Sequence, residues 1–90
     1  MHIYYTYSFH VLDRMKERQI SANEIEMLLS NDVDVIKLPS EKDKNIELIL
    51  GFVFGKGIVL IVNTKTKNIV TVRRMRKKEK ELFGRIENED

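Results

Sequence analysis

The chain contains no cysteine, one proline, four glycines and two histidines among its 90 residues. Without cysteine there can be no disulfide, no thiol catalysis and no thiolate zinc site. Two histidines, one of them His2, are too few for a histidine-rich metal centre. The longest unbroken apolar run, Ile58 to Val62, has strand length and falls far short of the ~20 residues of a membrane span. The opening Met-His-Ile-Tyr-Tyr-Thr-Tyr-Ser lacks the basic and apolar regions of a secretory signal. Pro39 and the glycines stand scattered, so no Pro/Gly-rich linker divides the chain. The expectation is a cytoplasmic, soluble protein with no membrane partner and no metal or other cofactor. Residues 1–76 read as a single domain and residues 77–90 as a charged tail or short helix. A chain of this length buries roughly 60–65% of its unfolded surface, which leaves a stability of about 5–10 kcal/mol.

Charge is abundant but unevenly placed. The net charge is +2. Residues 1–64 carry seven Lys/Arg against nine Asp/Glu, whereas residues 65–80 carry eight against the single Glu79. Residues 81–90 return to acidic, with Arg85 against four acids. A basic block of this density attracts polyanions, and nucleic acid is the commonest of them in cytoplasm. A solvated basic face is the plainer alternative.

Local patterns define the elements. His2 to Tyr7, rich in aromatic and β-branched residues, predicts a first strand. Ser8 is placed to cap a helix that runs to Gln19. Ser21-Ala22-Asn23-Glu24 has capping-box spacing, with Ile20 and Ile25 at the two staple positions. Ile25, Leu28 and Leu29 then predict a short amphipathic helix from Ala22 to about Ser30. Beyond it the period becomes extended: Val33–Leu38, Ile46–Phe54, Ile58–Val62 and Ile69–Arg74 predict strands. Gly55-Lys56-Gly57 is expected as a hairpin connection. The order β-α-α-β-β-β-β, with helices segregated from an antiparallel meander, predicts an α+β two-layer domain. One sheet face is expected to remain partly open.

In the first helix His10, Arg14 and Arg18 recur every four residues, which aligns them in one stripe. Val11, Leu12 and Met15 are expected on the opposite, buried side. Histidine titrates near neutrality and arginine is a fixed, forked cation suited to phosphate. In the last strand alternation sends Val70 and Val72 toward the helices and Thr71 and Arg73 away from them. Were the helix at the sheet edge, one concavity would collect His10, Arg14, Arg18, Thr71 and Arg73. Such a group suits RNA cleavage, in which the 2′-OH is the nucleophile and cations stabilise the charged phosphorane. A second proton-transfer group is not evident beyond Tyr4, Tyr5, Tyr7 or water. Each residue also has a plainer role: His10 bonding nearby backbone, the arginines in surface ion pairs with Asp13, Glu17 or Glu24, Thr71 as a strand former.

Ser8-Phe9-His10-Val11-Leu12-Asp13-Arg14-Met15-Lys16-Glu17-Arg18-Gln19-Ile20-Ser21 resembles the opening motif Ser-x-His-Ala-x-x-Arg-Met-x-x-Arg-Gly-Ile-Ser of a small family of uncharacterised prokaryotic domains. Ile69-Val70-Thr71-Val72-Arg73 is similar to that family's closing strand. The family is grouped with RelE-like toxins and the barnase/colicin/RelE fold of metal-independent ribonucleases. The resemblance covers most of residues 3–74 and implies a RelE-like α+β fold and RNA cleavage. By position it carries His10, Arg14, Arg18 and Thr71 over as functional residues. Arg73 to Lys80 resembles the basic C-terminal segments that contact ribosomal RNA, which marks Arg74, Arg76, Lys77, Lys78 and Lys80 for RNA docking. Two positions depart from the pattern, Gln19 for glycine and Val11 for alanine. The expectation is a toxin-like endoribonuclease acting on mRNA, at the ribosome in the RelE manner, and silenced by an antitoxin. The competing expectations are a non-catalytic RNA- or DNA-binding module and a protein-interaction domain with a basic tail.

Overall fold

Two capped amphipathic helices precede four consecutive strands because the apolar period changes from helical to extended after Asp32. The computed structural model describes residues 5–87. The order is β1 (Thr6–Tyr7), α1 (Phe9–Arg18), α2 (Ala22–Leu29), β2 (Val35–Pro39), β3 (Ile46–Val53), β4 (Lys56–Asn63), β5 (Asn68–Arg74) and α3 (Lys77–Glu87). The α+β class stands, extended by a third helix. Residues His2 to Tyr4 of the expected first strand, and residues 88–90 of the expected tail, lie outside the described residues.

The sheet has five strands in the order β1-β5-β4-β3-β2. β2 to β5 form the expected antiparallel meander, with β4 at its centre. β1 instead lies parallel to β5, pairing Thr6 with Asn68 and Tyr7 with Ile69, so the sheet is mixed. The Tyr7 hydroxyl donates to Glu26 Oε1 at 2.9 Å, which ties β1 to α2. Pro39 belongs to β2 rather than ending it, paired with Glu47. Its missing N–H is tolerated because β2 is an edge strand.

Both helix starts are capped as their sequences require. The Ser8 hydroxyl accepts from Val11 N at 3.1 Å. Ser21 and Glu24 complete a reciprocal capping box. Helix α1 ends at Gln19, which has left-handed backbone (φ 57°, ψ 49°). Glycine stands at this position in the resembled motif, and it has no Cβ to strain there. Replacing Gln19 by Gly is therefore expected to raise stability by about 0.5–1 kcal/mol. Urea unfolding checks this, and a midpoint no higher than wild type would show that the Gln19 side chain offsets its backbone strain.

The meander's middle turn is shorter than Gly55-Lys56-Gly57 suggested. The turn residues are Phe54 and Gly55, with φ of 51° and 78°, while Lys56 and Gly57 already belong to β4. Positive φ at both central residues marks a primed two-residue hairpin, the kind whose twist matches the flanking strands. Asparagine usually fills the first position. A phenylalanine there costs about 1 kcal/mol of backbone strain.

Two apolar clusters lie on opposite faces of the sheet. Val11, Met15, Ile20, Ile25 and Leu28 from the first two helices pack on Ile49, Val53, Ile58, Leu60, Val62, Ile69 and Val72. On the other face Met75 and Phe83 cover Leu50 and Val59, with Phe52 and Phe83 edge to face at 5.2 Å. The expected two-layer arrangement is thus corrected: α3 supplies a third layer over the face taken to be open. Leu48, Leu50, Phe52 and Val59 present too much apolar surface on that face to remain wet, and the residues after Arg76 cover it.

Two buried positions also differ from expectation. Leu12 is 46% exposed, leaving Val11 and Met15 as the anchors of α1. Val70 is 41% exposed, because the pairing of β4 with β5 steps from Ile61–Thr71 to Val62–Ile69 and skips it. That extra residue is a bulge, and it hands the core position from Val70 to Ile69.

Candidate nucleic-acid interface

The α1 stripe forms as its spacing dictates. His10 and Arg18 are exposed, and Arg14 is half-buried between them. Arg14 donates to Glu17 Oε2 at 2.9 Å, an exposed i,i+3 pair that contributes under about 1 kcal/mol. Lys16 and Arg18 occupy the last turn, where they complement the negative end of the helix dipole.

Strand β5 separates the remaining candidates by alternation. Thr71 pairs with Ile61 and Arg73 with Val59, which puts both on the face covered by α3. α1 packs on the other face through Val11 and Met15. The structure therefore does not gather His10, Arg14 and Arg18 with Thr71 and Arg73 in one concavity; the sheet lies between them. Arg73 is also engaged. Its two terminal nitrogens donate to the Glu79 oxygens at 2.7 and 2.6 Å, in a half-buried bidentate pair. The hydrogen bonds to Glu79 hold the Arg73 guanidinium pKa above its usual value despite partial burial. The same bonds, helped by the Arg76 N–H, hold the Glu79 carboxyl below the usual carboxylate range. Arg76 N donates to Glu79 Oε1 at 2.8 Å, so one carboxylate caps the start of α3 and anchors it to β5.

Arg74, one residue on, points to the opposite face. It pairs with Ile58 in the ladder, and its guanidinium reaches the Arg18 carbonyl at 3.4 Å. This contact joins the last turn of α1 to the basic segment. Arg74, Arg76, Lys77, Lys78 and Lys80 are all exposed. The Arg74–Arg18 contact stands at the end of β5, and Arg76, Lys77, Lys78 and Lys80 follow it in sequence into α3; together these cations are termed the ridge.

Beside the ridge stands a network that the sequence did not disclose. Lys56 Nζ donates to the Gln19 carbonyl at 2.6 Å and to Glu24 Oε1 at 3.1 Å. Glu24 is 6% exposed, the buried charged side chain among the described residues. Burial pushes its carboxyl pKa up, but the Ser21 N–H, the Lys56 ammonium and the Ser21 hydroxyl outweigh that, and the net direction is down. Capping-box spacing identified Glu24 as a helix cap. Nothing local marked Lys56, because its partners lie 37 and 32 residues away. The hairpin based on Lys56 carries Phe54 at its tip, 77% exposed.

At the other end of β5 a cavity of about 290 Å³ is bordered by Thr6, Ser8, Asn63, Thr66 and Asn68. Tyr7, weighed above for proton transfer, lines it, whereas His10, Arg14, Arg18, Thr71 and Arg73 do not. Among the described residues no cluster of His, Asp and Glu is arranged to hold a metal ion, and no helix is long and apolar enough to cross a membrane.

Residues 7–74 match the family model of a domain of unknown function, DUF4258. No curated protein and no solved structure matches the chain.

Proposed function

The chain belongs to the DUF4258 family of domains of unknown function, and from that premise we propose that it binds single-stranded RNA along its cationic ridge. The observation that carries this reading is the contact of the Arg74 guanidinium with the Arg18 carbonyl. It brings Arg74, which leads into the basic segment, to the last turn of α1 beside Arg18, where either group alone would be an ordinary solvated face. Exposed Arg18, Arg74, Arg76, Lys77 and Lys78 supply the phosphate contacts. Cytoplasm is the compartment in which such a substrate is met.

Cleavage is a second reading, favoured by one feature: His10 is exposed on the same stripe as Arg14 and Arg18. In it His10 takes the 2′-OH proton, the 2′-oxygen attacks phosphorus, and the 5′-oxygen leaves with a proton from water. Arg14 and Arg18 stabilise the charge that develops on the phosphoryl oxygens. Thr71 and Arg73 have no part in this version, since they stand across the sheet. The domain would then act on mRNA as a toxin-like endoribonuclease, and an antitoxin would silence it by covering the ridge.

Anisotropy titration of a labelled 20-nucleotide single-stranded RNA over a salt series tests the binding reading. The triple variant Arg18→Ala/Arg74→Ala/Arg76→Ala is expected to weaken binding at least tenfold. It should also flatten the slope of log K against log salt by about 2, at roughly 0.7 per lost phosphate contact. Wild-type affinity in that variant would reject the ridge. For the second reading, the same RNA is assayed for 2′,3′-cyclic phosphate ends, and growth and RNA 5′ ends are followed on expression in a bacterial host. Cleavage by the wild type that disappears in a folded, RNA-binding His10→Ala would assign His10 to the chemistry. Intact RNA with the wild type would leave binding alone.

A further inference from the structure

We propose that Phe54 is a stacking platform for one unpaired base of the RNA bound on the ridge, an inference that rests on the RNA-binding reading. Three observations converge on it. The ring is 77% exposed and, like that of Phe9 at 88%, stands clear of the two apolar clusters on the sheet faces. It occupies the first central position of a two-residue hairpin at φ 51°, where asparagine or glycine fits without strain and phenylalanine does not. A bulky residue kept in a strained, solvent-facing turn makes no contribution to folding that a smaller one could not make, so its value lies outside the folded core.

The third observation is position. The hairpin base is held to the end of α1 by Lys56 Nζ on the Gln19 carbonyl and to the residue after β5 by Met75 N donating to the Gly57 carbonyl at 2.9 Å. Phe54 lies three residues before Gly57, a span of at most about 10 Å along the chain, so the hairpin tip and Met75, which stands between Arg74 and Arg76 in sequence, share one end of the sheet. A single strand whose phosphates follow Arg18, Arg74 and Arg76 passes the hairpin tip with its bases free. An aromatic face beside a cationic track is the arrangement that holds single strands without reading their sequence, since every base has a π-face. A duplex keeps its bases stacked inside and gains nothing from the ring.

The test uses the full chain and three variants. Phe54→Asn installs the residue the turn prefers, so it is expected to unfold at higher urea than wild type while binding the 20-nucleotide RNA about tenfold more weakly. Its salt slope should be unchanged, because no phosphate contact is lost. Opposite movement of stability and affinity separates a binding role from a structural one. Phe54→Trp is expected to retain affinity, and because the chain has no other tryptophan, RNA should quench its emission. A duplex of the same sequence should bind wild type and Phe54→Asn alike. Unchanged RNA affinity in Phe54→Asn, alongside loss in the Arg18/Arg74/Arg76 variant, would overturn the stacking role and leave the ridge standing. No RNA binding by the wild type would overturn both.

Discussion

Glu24→Ala is expected to destabilise the domain by about 3 kcal/mol, a large share of the ~5–10 kcal/mol available to a chain of this size. Three losses add together. The Ser21 N–H and hydroxyl lose the carboxylate that completes the capping box. The Lys56 ammonium, a quarter exposed, loses its counter-ion at 3.0 Å. The first turn of α2 loses a negative charge at its positive end. The estimate lies at the low end for a broken buried pair because Lys56 keeps the Gln19 carbonyl and some access to water. Lys56→Met should cost less, since Glu24 retains both Ser21 donors. Urea unfolding of the two single variants and the double variant checks the coupling, expected at 1 kcal/mol or more. A Glu24→Ala cost below about 1 kcal/mol would show that the network contributes little. Because the network holds the end of α1 against the hairpin base, the proposed RNA binding should also weaken in any folded fraction.

Arg73→Ala is the second large effect, at about 2–3 kcal/mol. It leaves the Glu79 carboxylate half-buried without its bidentate partner and loosens α3 from the sheet. The loss should appear in unfolding and in hydrogen exchange of α3, and the double variant Arg73→Ala/Glu79→Ala should cost less than the sum of the singles. A catalytic arginine would behave differently, with wild-type stability and lost activity, and that pattern would overturn the anchoring role. The pair also fixes a pH dependence. Glu79 and Glu24 both have carboxyl pKa values lowered in the folded state. Their contribution is therefore full above the unfolded value of about 4.3 and is lost as pH falls through the lower folded values. Stability should drop on the acid side below about pH 4, and Glu24→Gln or Glu79→Gln should flatten that limb. At the alkaline side Tyr7 acts with the opposite sign. Burial and then its hydrogen bond to Glu26 raise its phenol pKa, so its contribution is lost as pH rises above about 10.

Features carried by short-range chemistry were legible in the sequence. Ser8 and Ser21 cap their helices because each cap involves residues three apart, and Gln19 ends α1 where the pattern breaks. The central place of Ile58–Val62 followed from its being apolar on both faces. The stripe of His10, Arg14 and Arg18 is a consequence of helical period alone. The α+β order needed nothing beyond the change of period after Asp32.

Tertiary structure decided what those residues meet. A bulge at Val70, invisible in a run of alternating apolar residues, moved the core position to Ile69. Strand alternation together with the placement of α1 and α3 on opposite faces sent Arg73 to Glu79 and Arg74 to Arg18, 56 residues away. Adjacent arginines of equal sequence character thus became an anchor and a surface cation. Lys56 found Glu24, and Phe54 came to the same end of the sheet as Arg74, only when the hairpin closed. Sequence pattern sets which face of an element is apolar, because that depends on local geometry and solvent. Which charged side chains share an end of the molecule depends on how the faces pack, and packing is a property of the whole chain.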